Sequence, residues 1–116
     1  MDRAAALAAA MLAFRRYRSE TLPAELFGEP GWELLLELFV ADAQGRRITG
    51  KEVSERSSIS PTVLSRWLKH LDSLGFTVGD GSGNLDDELT LSGKALEYME
   101  TTMTRAAELH FTLLQA

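Results

Sequence analysis

SPTVLSRWLKHLDSLGF, Ser60 to Phe76, is a helix sequence with two unlike sides. Val63, Leu64, Trp67, Leu68, Leu71 and Leu74 fall on one face at three- and four-residue spacing, whereas Thr62, Ser65, Arg66, Lys69 and Ser73 fall on the other. The first face is built to pack and the second to meet something outside the chain. The start is strongly specified: Ser60 can cap the free backbone N–H groups, Pro61 suits the first helical position, and Ile59 can staple onto Leu64. Gly75 supplies the stop.

Upstream, Thr49 and Glu52 form a capping-box pattern that opens a short helix from Gly50 to about Arg56, with Val53 inward. A turn around Ser57, Ser58 and Ile59 joins it to the second helix, so the pair reads as a helix-turn-helix, whose second helix enters a DNA major groove. Downstream, Phe76-Thr77-Val78 reads as a strand, Gly79 to Asn84 (GDGSGN) as a tight turn and Glu88 to Leu91 as a returning strand. A hairpin directly after the second helix is the wing of a winged helix. The expected fold is therefore mainly α with a small antiparallel sheet: a winged helix-turn-helix over residues 29–91, with added helices at 1–20 and 91–114.

In PTVLSRWLKHLDSLGF, in LTLSGKAL (Leu89 to Leu96) and in FGEPGWELLLELF (Phe27 to Phe39), the chain resembles the MarR-like winged helix-turn-helix regulators. The resemblance covers about the middle two-thirds of the chain. It implies a DNA-binding domain that works as a dimer. Wings in that family commonly carry an Asp-Arg-Arg type sequence, whereas the matching region here reads Asn84-Leu85-Asp86-Asp87-Glu88, and no Arg or Lys lies between Lys69 and Lys94. Consecutive acids are repelled by phosphates, so the grip falls to the helices or the partner is not DNA.

Under this reading Thr62, Ser65, Arg66 and Lys69 enter the major groove, and Arg66 is the residue suited to a guanine edge. Lys51, Ser58 and Lys69 are placed for phosphates, and Pro61 and Thr62 for thymine methyl groups. Ser82 and Asn84 are the polar residues of the wing. The competing reading is a winged-helix module that binds a protein through its acidic wing and the Glu-rich segment 19–45.

The net charge of −5 looks wrong for a nucleic-acid binder until it is divided along the chain. Residues 46–71 carry Arg46, Arg47, Lys51, Arg56, Arg66 and Lys69 against only Glu52 and Glu55, and this basic block coincides with the helix-turn-helix. Segment 19–45 holds six acids and no base. With 116 residues, 45% of them hydrophobic and 25% charged, the chain fits one soluble domain. The absence of Cys rules out disulfides and fits a reducing compartment, so a cytoplasmic protein is expected.

The Ala-rich run Ala4 to Phe14 has the length of a signal core, but Asp2 weakens the leader and Arg15, Arg16 and Arg18 occupy the place of a cleavage site. It is too short to span a membrane. It is expected to be a helix with Leu7, Met11 and Phe14 inward. Pro30 should start a central helix, since Trp32, Leu34, Leu35, Leu36, Leu38, Phe39 and Val40 are apolar on nearly every side. Arg46 to Thr49 is expected to join the wing as a third strand. The last helix carries a stripe of Leu96, Met99, Met103, Ala106, His110 and Leu113. Either that stripe packs on the N-terminal helix of its own chain, or the terminal helices bury each other across a two-fold axis; the homodimer is the expectation.

Other chemistry is weakly marked. Asp80, Ser82, Asn84 and Asp86 alternate like the opening of a calcium loop, but Leu85 and Leu91 stand where its glycine and glutamate belong. His70 and His110 lie on different helices with no partner at a metal or triad spacing, so neither an enzyme nor a cofactor is expected. No convergent polar set marks a small-molecule effector pocket of the kind the resemblance implies.

Overall fold

The computed structural model describes residues 2–21 and 30–115, the side chains of residues 17–21 and 111–115 excepted. The elements run α1 (Arg3–Thr21), α2 (Pro30–Ala43), β1 (Ile48–Thr49), α3 (Gly50–Arg56), α4 (Pro61–Ser73), β2 (Glu88–Leu89) and α5 (Gly93–Gln115). The chain is mainly helical with a small two-stranded antiparallel sheet. Phe27 to Glu29, the first residues of one resemblance motif, lie outside the described residues.

Apolar residues surround α2, so only a central position removes them from water. It packs against α1, α4 and α5, and Leu34, Leu36, Leu38, Phe39, Val40 and Ala41 are buried. Each of the leucines, Phe39 and Val40 contributes about 1.5–3 kcal/mol when fully buried. Glu37 is the exception in this row, only 1% exposed. Its Oε1 lies 2.9 Å from a guanidinium nitrogen of Arg16 on α1, and its Oε2 lies 3.7 Å from Arg56 on α3. One buried carboxylate thus joins three helices.

Local rules set both helices of the central pair. The Glu52 N–H donates to Thr49 Oγ1 at 3.2 Å while the Thr49 N–H donates to Glu52 Oε1 at 3.4 Å, completing the capping box that opens α3. In the turn, the Ser57 N–H donates to the Val53 carbonyl at 3.0 Å, and the Ser54 hydroxyl donates to the Ile59 carbonyl at 3.1 Å. Ser60 then caps α4, accepting from the Val63 N–H at 3.3 Å, with Pro61 at the first helical position. Leu64, Leu68 and Leu71 are buried beneath α4. Trp67 lies so close to Gly31 that a Cβ there would stand 2.7 Å from its ring, which brings α4 tight against the start of α2. Gly75, at φ +74, ends the turn after α4 in the left-handed region.

The sheet is smaller than the sequence suggests. Ile48 pairs with Leu89 and Thr49 with Glu88, while the returning segment touches Phe76-Thr77-Val78 only through an isolated antiparallel bridge, Thr77 to Leu91. The Val78 N–H donates to the Thr90 carbonyl and the Ser92 N–H to the Phe76 carbonyl, both at 2.9 Å. Arg46 and Arg47 precede the strand rather than joining it.

The terminal helices depart from expectation in their inward faces. Among the described side chains of α1, Ala4, Ala5, Ala8 and Leu12 are buried, Leu7 and Met11 are half-buried, and Phe14 is 61% exposed. Small side chains let the neighbouring helices approach α1, so Ala4, Ala5 and Ala8 turn inward together with Leu12, and Leu7 and Met11 pack at the margin of the core. α5 packs on α1 of the same chain, with Ala95, Met99, Met103 and Ala107 buried at four-residue spacing. Met99 and Met103, expected at a two-fold interface, therefore lie inside the protomer. Leu96 and Ala106 are half-buried and His110 is exposed; the side chain of Leu113 lies outside the described residues.

Candidate functional site

The outer face of α4 borders a groove of about 580 Å³ lined by Pro61, Thr62, Ser65, Arg66 and Lys69 on one side and Gly83, Asn84 and Leu85 on the other. The groove exists because the hairpin loop, residues 79–87, lies back along α4. The Ser65 hydroxyl donates to the Gly83 carbonyl at 2.7 Å. Gly83 is buried at φ +70, and a Cβ there would stand 2.6 Å from Ser65 Oγ and 2.9 Å from the Lys69 side chain. A side chain at that φ would be strained and would have to push the Ser65 and Lys69 side chains aside. Leu85 anchors the far side: its carbonyl accepts from the Lys51 N–H at 2.9 Å, and its side chain fills the space that a Cβ on Gly50 would need.

Asp72, in the last turn of α4, holds the near end of the loop. Its carboxylate accepts from the Thr77 hydroxyl and, at 3.1 Å, from the Gly81 N–H. The alternating residues that mimic a calcium loop have a different role. The Ser82 N–H donates to Asp80 Oδ1 at 2.9 Å, the Asn84 N–H to Ser82 Oγ at 3.3 Å, and the Asp86 N–H to Asn84 Oδ1 at 3.0 Å. Each side chain caps the backbone two residues on, a run of Asx- and Ser-type turns. Hydrogen bonds from the Ser82 hydroxyl and N–H hold the Asp80 carboxyl below its ordinary value of 3.8.

The basic block divides in two. Arg46 donates to Gln44 at 2.6 Å, Arg47 to Thr90 at 3.4 Å, and Arg56 pairs with Glu37. Lys51, Arg66 and Lys69 are exposed, and no ion pair among the described residues engages them. Pro61, Thr62 and Ser58 are exposed as well, whereas Ser65 is half-buried with its hydroxyl committed to Gly83. On the loop, Ser82, Asn84, Asp86 and Asp87 are exposed, as is Glu88 on β2. An acidic edge thus runs beside a basic face.

Elsewhere the chemistry is sparse. Among the described residues no group of three or more His, Cys, Asp or Glu side chains gathers as a metal would require, and no helix is long and apolar enough to cross a membrane. His70 is exposed, its ring edge-on to Trp67 at 5.7 Å between centroids. His110 borders a small apolar cleft between α1 and α5 with Arg3, Ala6, Leu7 and Ala107. Asp72, Gly83 and Glu37 were not marked by sequence reasoning. Asp72 alone carried a signal, because an acid in the last turn of a helix opposes the helix dipole and calls for a donor. No protein-family model, curated protein or solved structure matches the chain.

Proposed function

We propose that this chain is a winged helix-turn-helix protein that binds double-stranded DNA and regulates transcription in the cytoplasm, without enzymatic activity. In this reading α3 and α4 form the helix-turn-helix, α4 enters the major groove, and the hairpin from Thr77 to Leu91 is the wing. One observation carries it: Thr62, Arg66 and Lys69 stand exposed on one face of α4, with Lys51 next to the loop they border, while Leu64, Leu68 and Leu71 fix the opposite face in the core. A helix held this way can present side chains to base edges without disturbing the fold. Arg66 suits the O6 and N7 atoms of guanine, Thr62 and Pro61 the thymine methyl, and Lys51, Lys69 and Ser58 the phosphates.

A homodimer would place two such helices on a two-fold operator. Among the described side chains of the terminal helices, Phe14 on α1 and Tyr98 and Leu109 on α5 are exposed apolar residues, and Leu7, Met11, Leu96 and Ala106 are half-buried. Binding of the intact chain to random duplex across a salt series tests the reading. With Lys51 and Lys69 on phosphates, the logarithm of the binding constant should fall against that of salt with a slope of about −2 per protomer and roughly −4 for a dimer. The exposed acids Asp86, Asp87 and Glu88 favour a second reading, a module that docks a basic protein. That module would show no salt-dependent duplex binding.

A further inference from the structure

On a helix, side chains four apart form rows, and the outer face of α4 carries two. Pro61, Ser65 and Lys69 make one row; Thr62, Arg66 and His70 make the other. The loop lies against the middle of the first row, where Ser65 is half-buried, while Pro61 and the end of Lys69 stay exposed. Gly83 accepts from the Ser65 hydroxyl at 2.7 Å and lies against the Lys69 stem, and the loop is pinned at both ends by Asp72 and by the Lys51 N–H. Three close approaches, at Gly50, Gly79 and Gly83, leave no room for a Cβ without displacing Leu85, Asp72 or Ser65 respectively. Thr62, Arg66 and His70 remain exposed.

We propose that the loop 79–87 is a specificity mask: it withdraws Ser65 and the stem of Lys69 from base reading, so that beyond Pro61 at the helix start sequence is read by the single row Thr62, Arg66 and His70. The inference rests on the DNA-binding reading and adds His70 to the readers. Lys69 keeps only its ammonium group for a phosphate. His70 lies eight positions beyond Thr62, a span of about 12 Å along the helix, or three to four base-pair steps at ~3.4 Å each. The acids of the masked side, Asp86, Asp87 and Glu88, repel any phosphate that approaches over the loop. The duplex must therefore meet α4 from the Arg66 side.

The test selects a duplex for the intact chain from a library with a randomised centre, and then measures anisotropy against every single base change in that duplex. Arg66→Ala and His70→Ala should each flatten the preference at adjacent positions, the guanine contact of Arg66 by roughly 5- to 150-fold. Ser65→Ala should leave every preference unchanged, since it removes only a bond to Gly83. Gly83→Ala, with folding checked by circular dichroism, should add a preference at a position the intact chain ignores. If Ser65→Ala flattens the profile as Arg66→Ala does, or if His70→Ala changes nothing, the mask is overturned while the DNA-binding reading stands. If neither the intact chain nor any variant shows salt-dependent duplex binding, both fall together.

Discussion

Arg16 on α1 and Glu37 on α2 meet at 2.9 Å with the carboxylate almost wholly buried and the guanidinium partly in water, at 38% side-chain exposure. The two partners are therefore not equivalent. Replacing both Arg16 and Arg56 by Met would strand a buried charge, a loss of about 3–5 kcal/mol. Glu37→Gln leaves arginines that can reach solvent and should cost less, about 1–2 kcal/mol. Urea unfolding of the two variants should rank them in that order.

Asp86 and Asp87 test how near the loop comes to a bound duplex. Changing both to Asn should tighten binding and steepen its salt dependence, because a repulsion that now offsets the helix contacts is gone. Titration at two salt concentrations decides it, and an unchanged slope would mean that the loop tip stays away from phosphate.

Lys69 and Arg66 should separate in solution as they do on the helix. Lys69→Ala should weaken operator and random duplex alike and reduce the magnitude of the salt slope by about one, whereas Arg66→Ala should lower discrimination more than total affinity. Both side chains are exposed, so thermal unfolding should shift little in either variant.

Assembly rests on the outer surface of the terminal helices. Removing residues 1–18 would strip Ala4, Ala8 and Leu12 from the core and is expected to unfold the chain. Phe14→Asp is the sharper probe, since that ring is exposed in the protomer. Sedimentation should show a dimer for the intact chain at micromolar concentration and a folded monomer for the variant; a monomeric intact chain would sink the two-fold interface.

Asp80 makes the loop sensitive to acid. Its folded pKa lies below the ordinary 3.8, so the order it confers is fully present above that value and is lost as pH falls through the lower, folded one. The protection of the Ser82 amide, its exchange rate taken relative to the intrinsic rate at each pH, should fall only in that acid range, and Asp80→Asn should remove the pH-dependent step.

Much of α4 was legible because local rules agree: cap, proline, buried leucines at fixed spacing and terminal glycine all name the same helix. The sheet was legible in partners but not in length, since pairing across Thr77 depends on how the loop returns. α1 misled for a physical reason. From Ala4 to Phe14 every residue is apolar, and periodicity cannot choose a face when alanine occupies most of the run. The candidate site was legible in Arg66, Lys69 and Thr62, yet the withdrawal of Ser65 was not, because it depends on the path of a loop through a glycine eighteen residues away.

The rungs that support the loop each join a side chain to the backbone two residues further on, from Asp80 to Ser82, Asn84 and Asp86. Each rung is therefore independent of the others. One residue inserted between Ser82 and Asn84 breaks a single rung but displaces Gly83 from Ser65, while an insertion after Asp86 leaves all three rungs and the Gly83 contact in place. The seat of Gly83 on α4, rather than the length of the loop, is consequently what fixes the position of the acidic edge.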